Sequence, residues 1–312
     1  MRVARKPVGV ACAVLVVAVL LAGCLPPPPP PPPAVLDAAC QGTLVASTPG
    51  TVVNDAVDEL SGIVAGRRTD GVWWAHNDSG DVARVFAVAA DGRDLGEFDL
   101  PGASAVDWED IAAGPGPTSG VDYLYVGDIG DNTKTRASVT VYRMREPAVD
   151  TSVVAPPPPH LLTGVSAMTF TYPDGPHDAE ALLVDPQSGD LFIVTKDFSG
   201  VGQVFRAPPD LADGSTTVLQ QVATVSLGFL GAVTAADVTP GGDVVGLRTY
   251  FSVVLFPRPP GSSLADALAQ PSCNGAVVSE PQGEALAFTR DGRGYVTSSE
   301  GTHPPLHLFV AP

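Results

Sequence analysis

The sequence predicts an all-β fold, and within that class a β-propeller of five blades. Three observations carry the expectation. Glycine and proline are abundant, at 33 and 32 of 312 residues, so apolar runs are short and no window sustains the 3.6-residue period of a helix. A unit recurs in which a small-residue segment, usually opening with an acid, leads through a Gly or Pro turn into an apolar strand and then a third short strand. The units start at residues 59, 109, 180, 234 and 284, which lie 50, 71, 54 and 50 residues apart, a period that belongs to radial or solenoid repeats rather than to a sandwich.

The N-terminal elements precede the repeats. Arg2, Arg5 and Lys6 form a positive n-region, and Val8 to Leu21 is an apolar stretch whose length and position favour a signal peptide over a transmembrane anchor. Leu21-Ala22-Gly23-Cys24 resembles a bacterial lipobox, which predicts cleavage before Cys24 and lipidation of its thiol. An ordinary cleaved signal peptide, or an uncleaved short anchor, is the alternative, and either would still export the chain. Pro26 to Pro33 is an unbroken run that must adopt polyproline II, because each ring fixes φ and removes a donor. At about 3.1 Å per residue it makes a stiff stalk on the order of 25 Å long. The expected organisation is a signal peptide at 1–23, a lipidated stalk at 24–35 and a single domain at 36–312.

The repeats then follow in order. Glu59-Leu-Ser-Gly-Ile leads to Val72-Trp-Trp-Ala and Ala83-Arg-Val-Phe-Ala-Val. Glu109-Asp-Ile-Ala leads to Tyr123-Leu-Tyr-Val-Gly and Thr140-Val-Tyr-Arg. Glu180-Ala-Leu-Leu-Val precedes Leu191-Phe-Ile-Val-Thr and Gln203-Val-Phe-Arg. Thr234-Ala-Ala-Asp-Val precedes Val244-Val-Gly-Leu-Arg and Ser252-Val-Val-Leu-Phe, and Glu284-Ala-Leu-Ala-Phe precedes Gly294-Tyr-Val-Thr-Ser and Leu306-His-Leu-Phe-Val. Connectors such as Gly96-Glu-Phe-Asp-Leu and Ala167-Met-Thr-Phe-Thr-Tyr supply fourth strands. The chain ends on a third strand, so the unpaired strand around Gly42 to Val53 is expected to complete the last blade and close the ring. The 71-residue interval accommodates an insertion around Pro156 to Pro159; a different division of the outer strands would give six blades.

Charge and cysteine usage bound the function. Residues 1–23 hold three basic and no acidic side chains, leaving 17 − 3 = 14 basic against 34 acidic residues, a charge of −20. Such a surface repels nucleic acid and anionic lipid and suits solubility or cation binding. With Cys12 in the signal peptide and Cys24 lipidated, Cys40 and Cys273 remain and are expected to pair in an oxidising compartment.

The first strand of each propeller blade lines the axis, so Glu59, Glu109, Glu180 and Glu284 are expected to form a partial carboxylate ring at the channel mouth. Thr234 holds the fifth place and Asp237 lies three residues further in. Like charges brought together raise their pKa values or recruit a cation, and hard oxygen ligands suit Ca²⁺ or Mg²⁺. The competing expectation is architectural: such acids cap backbone N–H groups of the neighbouring blade. A second layer, Asn77, Asp78, Asp128, Lys196, Asp197, Arg248 and Glu300, follows the second strands and suits ion pairs or a polar ligand. His76, beside Asn77-Asp78, is the one histidine placed for a role. Trp73, Trp74 and Trp108 are expected to pack between blades rather than stack on a sugar.

Glu59-Leu-Ser-Gly, Asn77-Asp78, Asp107-Trp-Glu-Asp-Ile-Ala and Glu284-Ala-Leu-Ala-Phe with Asp291-Gly together resemble secreted bacterial propellers of the SdiA-regulated, esterase-like phytase and NHL or TolB-like group. The resemblance covers most of the mature chain through short, degenerate motifs and implies a propeller fold and export. Some relatives bind calcium in the central channel and phytase-like members hydrolyse phosphate esters, but no phytase motif matches position by position. There is no Gly-x-Ser-x-Gly elbow, P-loop or His-Glu-x-x-His.

The expected function is therefore an exported, lipid-anchored and monomeric propeller that binds a small polar ligand, a cation or an envelope protein at its acidic mouth. The alternative is a Ca²⁺-dependent hydrolase of a phosphate ester or lactone, so whether the chain is an enzyme stays open.

Overall fold

Each repeat folds into its own antiparallel sheet, and five sheets arranged around an axis make a five-bladed β-propeller. The computed structural model describes residues 34–209 and 211–312; the expected signal peptide at 1–23, Cys24 and Pro26–Pro33 lie outside them. From the axis outward, blade 1 is Leu60–Ala65, Val72–Asn77, Arg84–Ala89 and Asp94–Asp99. Blade 2 is Trp108–Pro115, Asp122–Asp128, Val139–Arg145 and Ser166–Thr171. Blade 3 is Ala179–Val184, Leu191–Thr195, Val201–Ala207 and Gln220–Ser226. Blade 4 is Val233–Val238, Val244–Thr249, Val253–Pro257 and the short Cys273–Asn274.

Blade 5 closes the ring. Gly283–Phe288, Gly294–Ser299 and Pro305–Val310 come from the C-terminal end, and the outer strand is the N-terminal Val45–Thr51, paired antiparallel with Pro305–Val310. The expected closing strand is therefore in place, and the blade count is five. The long 109-to-180 interval holds no sixth blade: part of it, His160–Leu161, runs back to pair in parallel with the outer strand of blade 1. Thr216–Val218 likewise extends blade 2.

Inner and second strands are buried along nearly their whole length because blades cover both of their faces. The apolar side chains accordingly form five cores, one between each pair of neighbouring blades. Trp74 and Trp108 anchor the blade 1–2 core, with indole N–H groups donating to Glu146 Oε1 at 3.1 Å and to Ser104 O at 3.0 Å. A buried aromatic of this size contributes roughly 1.5–3 kcal/mol once its N–H is satisfied. These tryptophans pack, as their apolar strand setting predicts.

The described chain begins with the helix Ala34–Gln41, two residues of which fall in the expected stalk segment. Val35, Leu36 and Ala39 cover the core between blades 4 and 5. Cys40 on this helix is disulfide-bonded to Cys273 on the outer strand of blade 4, with Cα atoms 5.1 Å apart. The N-terminal segment thus fastens blade 4 covalently and blade 5 by strand pairing. Among the described residues no helix is long and apolar enough to cross a membrane.

Candidate functional site

Every inner strand carries a β-bulge at the same place, one residue into the strand. A bulge leaves an unpaired residue and re-aims its side chain. Counting from the ladder pairs, the unpaired positions are Ser61 and Gly62 in blade 1 and Glu109, Glu180, Thr234 and Glu284 in the others, with Ser61 the first after the leading pair. Glu109, Glu180 and Glu284 therefore do occupy equivalent positions. Glu59 lies two residues ahead of its expected place, exposed, because the blade 1 register is set by Leu60 and Ile63 rather than by the acid. Ser61 and Thr234 stitch neighbouring inner strands: Ser61 Oγ donates to Glu109 O at 2.6 Å and Thr234 Oγ1 to Gly283 O at 2.8 Å.

Two aspartates on inner strands act as architectural caps. Asp110 is fully buried, and its carboxylate accepts N–H from Ile111 at 2.9 Å, Leu182 of blade 3 at 2.8 Å and Ala236 of blade 4 at 3.2 Å. One side chain thereby ties three blades together across the axis. Asp237 accepts N–H from Val238 at 2.8 Å and Phe288 of blade 5 at 2.7 Å. Burial pushes the Asp237 carboxyl up to about 7. In both, each carboxylate oxygen is taken by backbone N–H groups, so of the acids expected at the ring Asp237 caps backbone, and Asp110 does the same.

The remaining acids gather in a pit on the face where inner strands begin and second strands end. One carboxylate oxygen from each of Asp78, Asp107 and Glu109 lies within 4.8 Å of the others, and the same holds for Glu109, Asp178 and Glu180. These are acidic clusters able to hold a metal ion. Glu109, only 3% exposed, leaves Oε1 buried with no hydrogen-bond partner. That is an expensive state for a carboxylate unless something positive approaches it.

A Cβ on Gly130 would lie 2.1 Å from Glu109 Oε1 and 2.6 Å from Asp107 Oδ2, so two carboxylate oxygens converge on the space that this glycine leaves empty. Burial, reinforced by Glu180, Asp78 and Asp107, holds the Glu109 carboxyl well above its ordinary range. Burial and then Asp78 push Asp107 up to about 6. Burial, with Glu180 next, pushes Glu284 up to about 9. Glu284 Oε2 is also buried and unpartnered, while its Oε1 accepts from Gln282 Nε2 at 3.2 Å.

Of the second layer, Asp78 belongs to the pit and Lys196 borders it, paired with Glu180. The others have partners of their own, although Asp128 also accepts from Asp107 N at 3.1 Å and Glu300 shares Gln282 with Glu284. Asn77 Nδ2 donates to Ala56 O at 2.7 Å and Asp81 Oδ2 at 2.9 Å. Asp128 pairs with Arg136 at 2.8 Å, Arg248 pairs with buried Glu280, Glu300 accepts from Gln282, and Asp197 caps its own turn by accepting from Ser199 N at 2.8 Å. His76 is fully buried against Trp108, and burial lowers it to about 4, so it is a neutral packing residue at physiological pH. Neither Asp107 nor Asp178 is a candidate site residue from the sequence, although Asp107-x-Glu109 and Asp178-x-Glu180 repeat a readable signature. Loops of the same face expose Phe198, Phe229, Leu230 and Phe251 on the side of blades 3 and 4.

Comparison of the chain with protein-family models gives no match, and comparison with curated proteins gives none.

Proposed function

We propose that the acidic pit binds one hard divalent cation, Ca²⁺ by its all-oxygen ligand set, through Asp78, Asp107 and Glu109, and that the propeller presents this site outside the cytoplasm as a lipid-anchored protein. The observation that carries the reading is the orphaned, buried Oε1 of Glu109 beside two further carboxylates. Ca²⁺ takes six to eight oxygen ligands, so three carboxylates leave positions for water or for an oxygen of a polar ligand. The exposed phenylalanines on the same face suit a protein partner docking over the site. Export rests on the signal-peptide pattern and the Cys24 lipobox, and the disulfide supports an oxidising compartment.

Equilibrium dialysis of the full chain against Ca²⁺ tests the binding reading. One equivalent in the wild type, lost in Asp78→Asn combined with Asp107→Asn, is expected; no bound Ca²⁺ in the wild type overturns it. A second reading, hydrolysis of a phosphate ester or lactone, is favoured by Glu284. Raised to about 9, this carboxyl keeps its proton at neutral pH and can deliver it to a leaving-group oxygen. Turnover abolished by both chelation and Glu284→Gln would establish it, whereas Ca²⁺ binding without turnover leaves the site a recognition site.

A further inference from the structure

The two acidic triads share Glu109 but differ in how their other members are engaged. In the first, the Asp107 carboxylate has no hydrogen-bond partner among the described residues, and Asp78 uses only Oδ1, accepting from Ser79 N at 2.5 Å. In the second, Asp178 Oδ1 accepts from Asp131 N at 2.9 Å, and Glu180 is paired with the ammonium of Lys196. That pair is dry: the side chains of Lys196 and Glu180 are 9% and 3% exposed. The ammonium also lies 5.3 Å from the centre of the Tyr250 ring, which attracts a cation through its face. Burial works against the Lys196 charge, yet Glu180 outweighs it and holds the ammonium protonated.

We infer that Lys196 is a built-in cation: its ammonium, paired with Glu180, withdraws that carboxylate from the Glu109–Asp178–Glu180 triad, confines the exchangeable divalent ion to Asp78–Asp107–Glu109 and limits the pit to one ion. The inference rests on the proposed cation site and assigns its stoichiometry. The ammonium engages the Glu180 carboxylate that a second ion would need, and a second ion would also require the shared Glu109 to bridge, as carboxylates do in two-metal centres. Without Lys196 the pit would hold five carboxylates around two vacant triads, a charge density that calls for two divalent ions.

The test is calorimetric titration of the full chain with CaCl₂ alone, for the wild type, Lys196→Met and Lys196→Arg. The wild type and the Arg variant are expected to bind one Ca²⁺, and the Met variant two, with the first bound about tenfold more tightly because a neighbouring positive charge is gone. One ion in Lys196→Met at wild-type affinity overturns the inference while leaving the cation site standing; no ion in the wild type overturns both.

Should Lys196→Met fail to fold, Lys196→Met combined with Glu180→Gln removes the pair without leaving a buried charge. This double variant is expected to bind one Ca²⁺ within about threefold of wild-type affinity. A loss greater than about tenfold would make the pair part of the exchangeable site and refute the division of roles.

Discussion

Replacing Gly130 with alanine adds a single methyl group and removes no charge, which makes it a sharp probe of the pit. Gly130 is not among the residues with positive φ, so alanine is compatible with its backbone and any effect comes from space. The added Cβ would stand 2.1 Å from Glu109 Oε1 and 2.6 Å from Asp107 Oδ2, well inside van der Waals contact, so both oxygens must retreat by roughly 1 Å. The ion-free protein relieves this by swinging two carboxylates aside. The loaded protein cannot, because the ion needs them where they were. Overpacking of this kind costs about 1–3 kcal/mol. Concentrated in the loaded state, it weakens Ca²⁺ binding roughly 5- to 150-fold. The assay is calorimetric titration, accompanied by denaturant unfolding in excess chelator to show that the ion-free fold is little changed. An affinity within twofold of the wild type would show that the oxygens above Gly130 do not hold the ion.

Further outcomes follow from the same structure. Asp110→Ala strips three buried N–H groups of their acceptor at about 1–3 kcal/mol each, so urea unfolding should show a loss of at least about 3 kcal/mol. An equal loss in Asp99→Ala, which caps no inner strand, would deny Asp110 its role as a hub. Cys40→Ser with Cys273→Ser opens a loop spanning 233 residues and should cost about 2–5 kcal/mol, read as a lower unfolding midpoint that reductant no longer changes.

The ion-free protein should also lose stability as pH rises. Glu284 and Asp237 have folded-state values raised to about 9 and about 7, above their unfolded 4.5 and 3.8, so the native state binds more protons than the unfolded state between those limits. The stability they contribute is fully present below pH ~4 and is lost progressively as pH rises through ~7 and then ~9. Unfolding curves in chelator from pH 5 to 9 check this, and Glu284→Gln should flatten the upper half of the profile.

The architecture was legible because propeller repeats write their period into the sequence. The apolar second strands Tyr123-Leu-Tyr-Val-Gly and Leu191-Phe-Ile-Val-Thr, each flanked by turn residues, mark blades directly. The closing strand was legible by subtraction, since the chain ends on Pro305–Val310 and that strand needed a partner. The site was only partly legible. Aligning repeats by their acids placed Glu59 with Glu109, whereas the ladder is registered by Leu60 and Trp108 and puts Ser61 there. A bulge shifts side-chain direction without changing composition, so no count of spacings reveals it. Asp237 looks like a ring member in sequence, yet its carboxylate is consumed by two backbone N–H groups of blades 4 and 5, partners set by the ring as a whole. Gly130 belongs to the site through what it lacks, and only coordinates show that.

The measurement that tests the central claim most directly is a Ca²⁺ titration of the full chain as wild type and as Glu109→Gln, with melting temperatures recorded in Ca²⁺ and in chelator. The account predicts one Ca²⁺ per wild-type chain with a higher melting temperature in Ca²⁺, and loss of both effects in Glu109→Gln. A wild type that binds no Ca²⁺, or a Glu109→Gln variant that binds it equally well, would contradict the assignment of the buried Glu109 carboxylate to a cation.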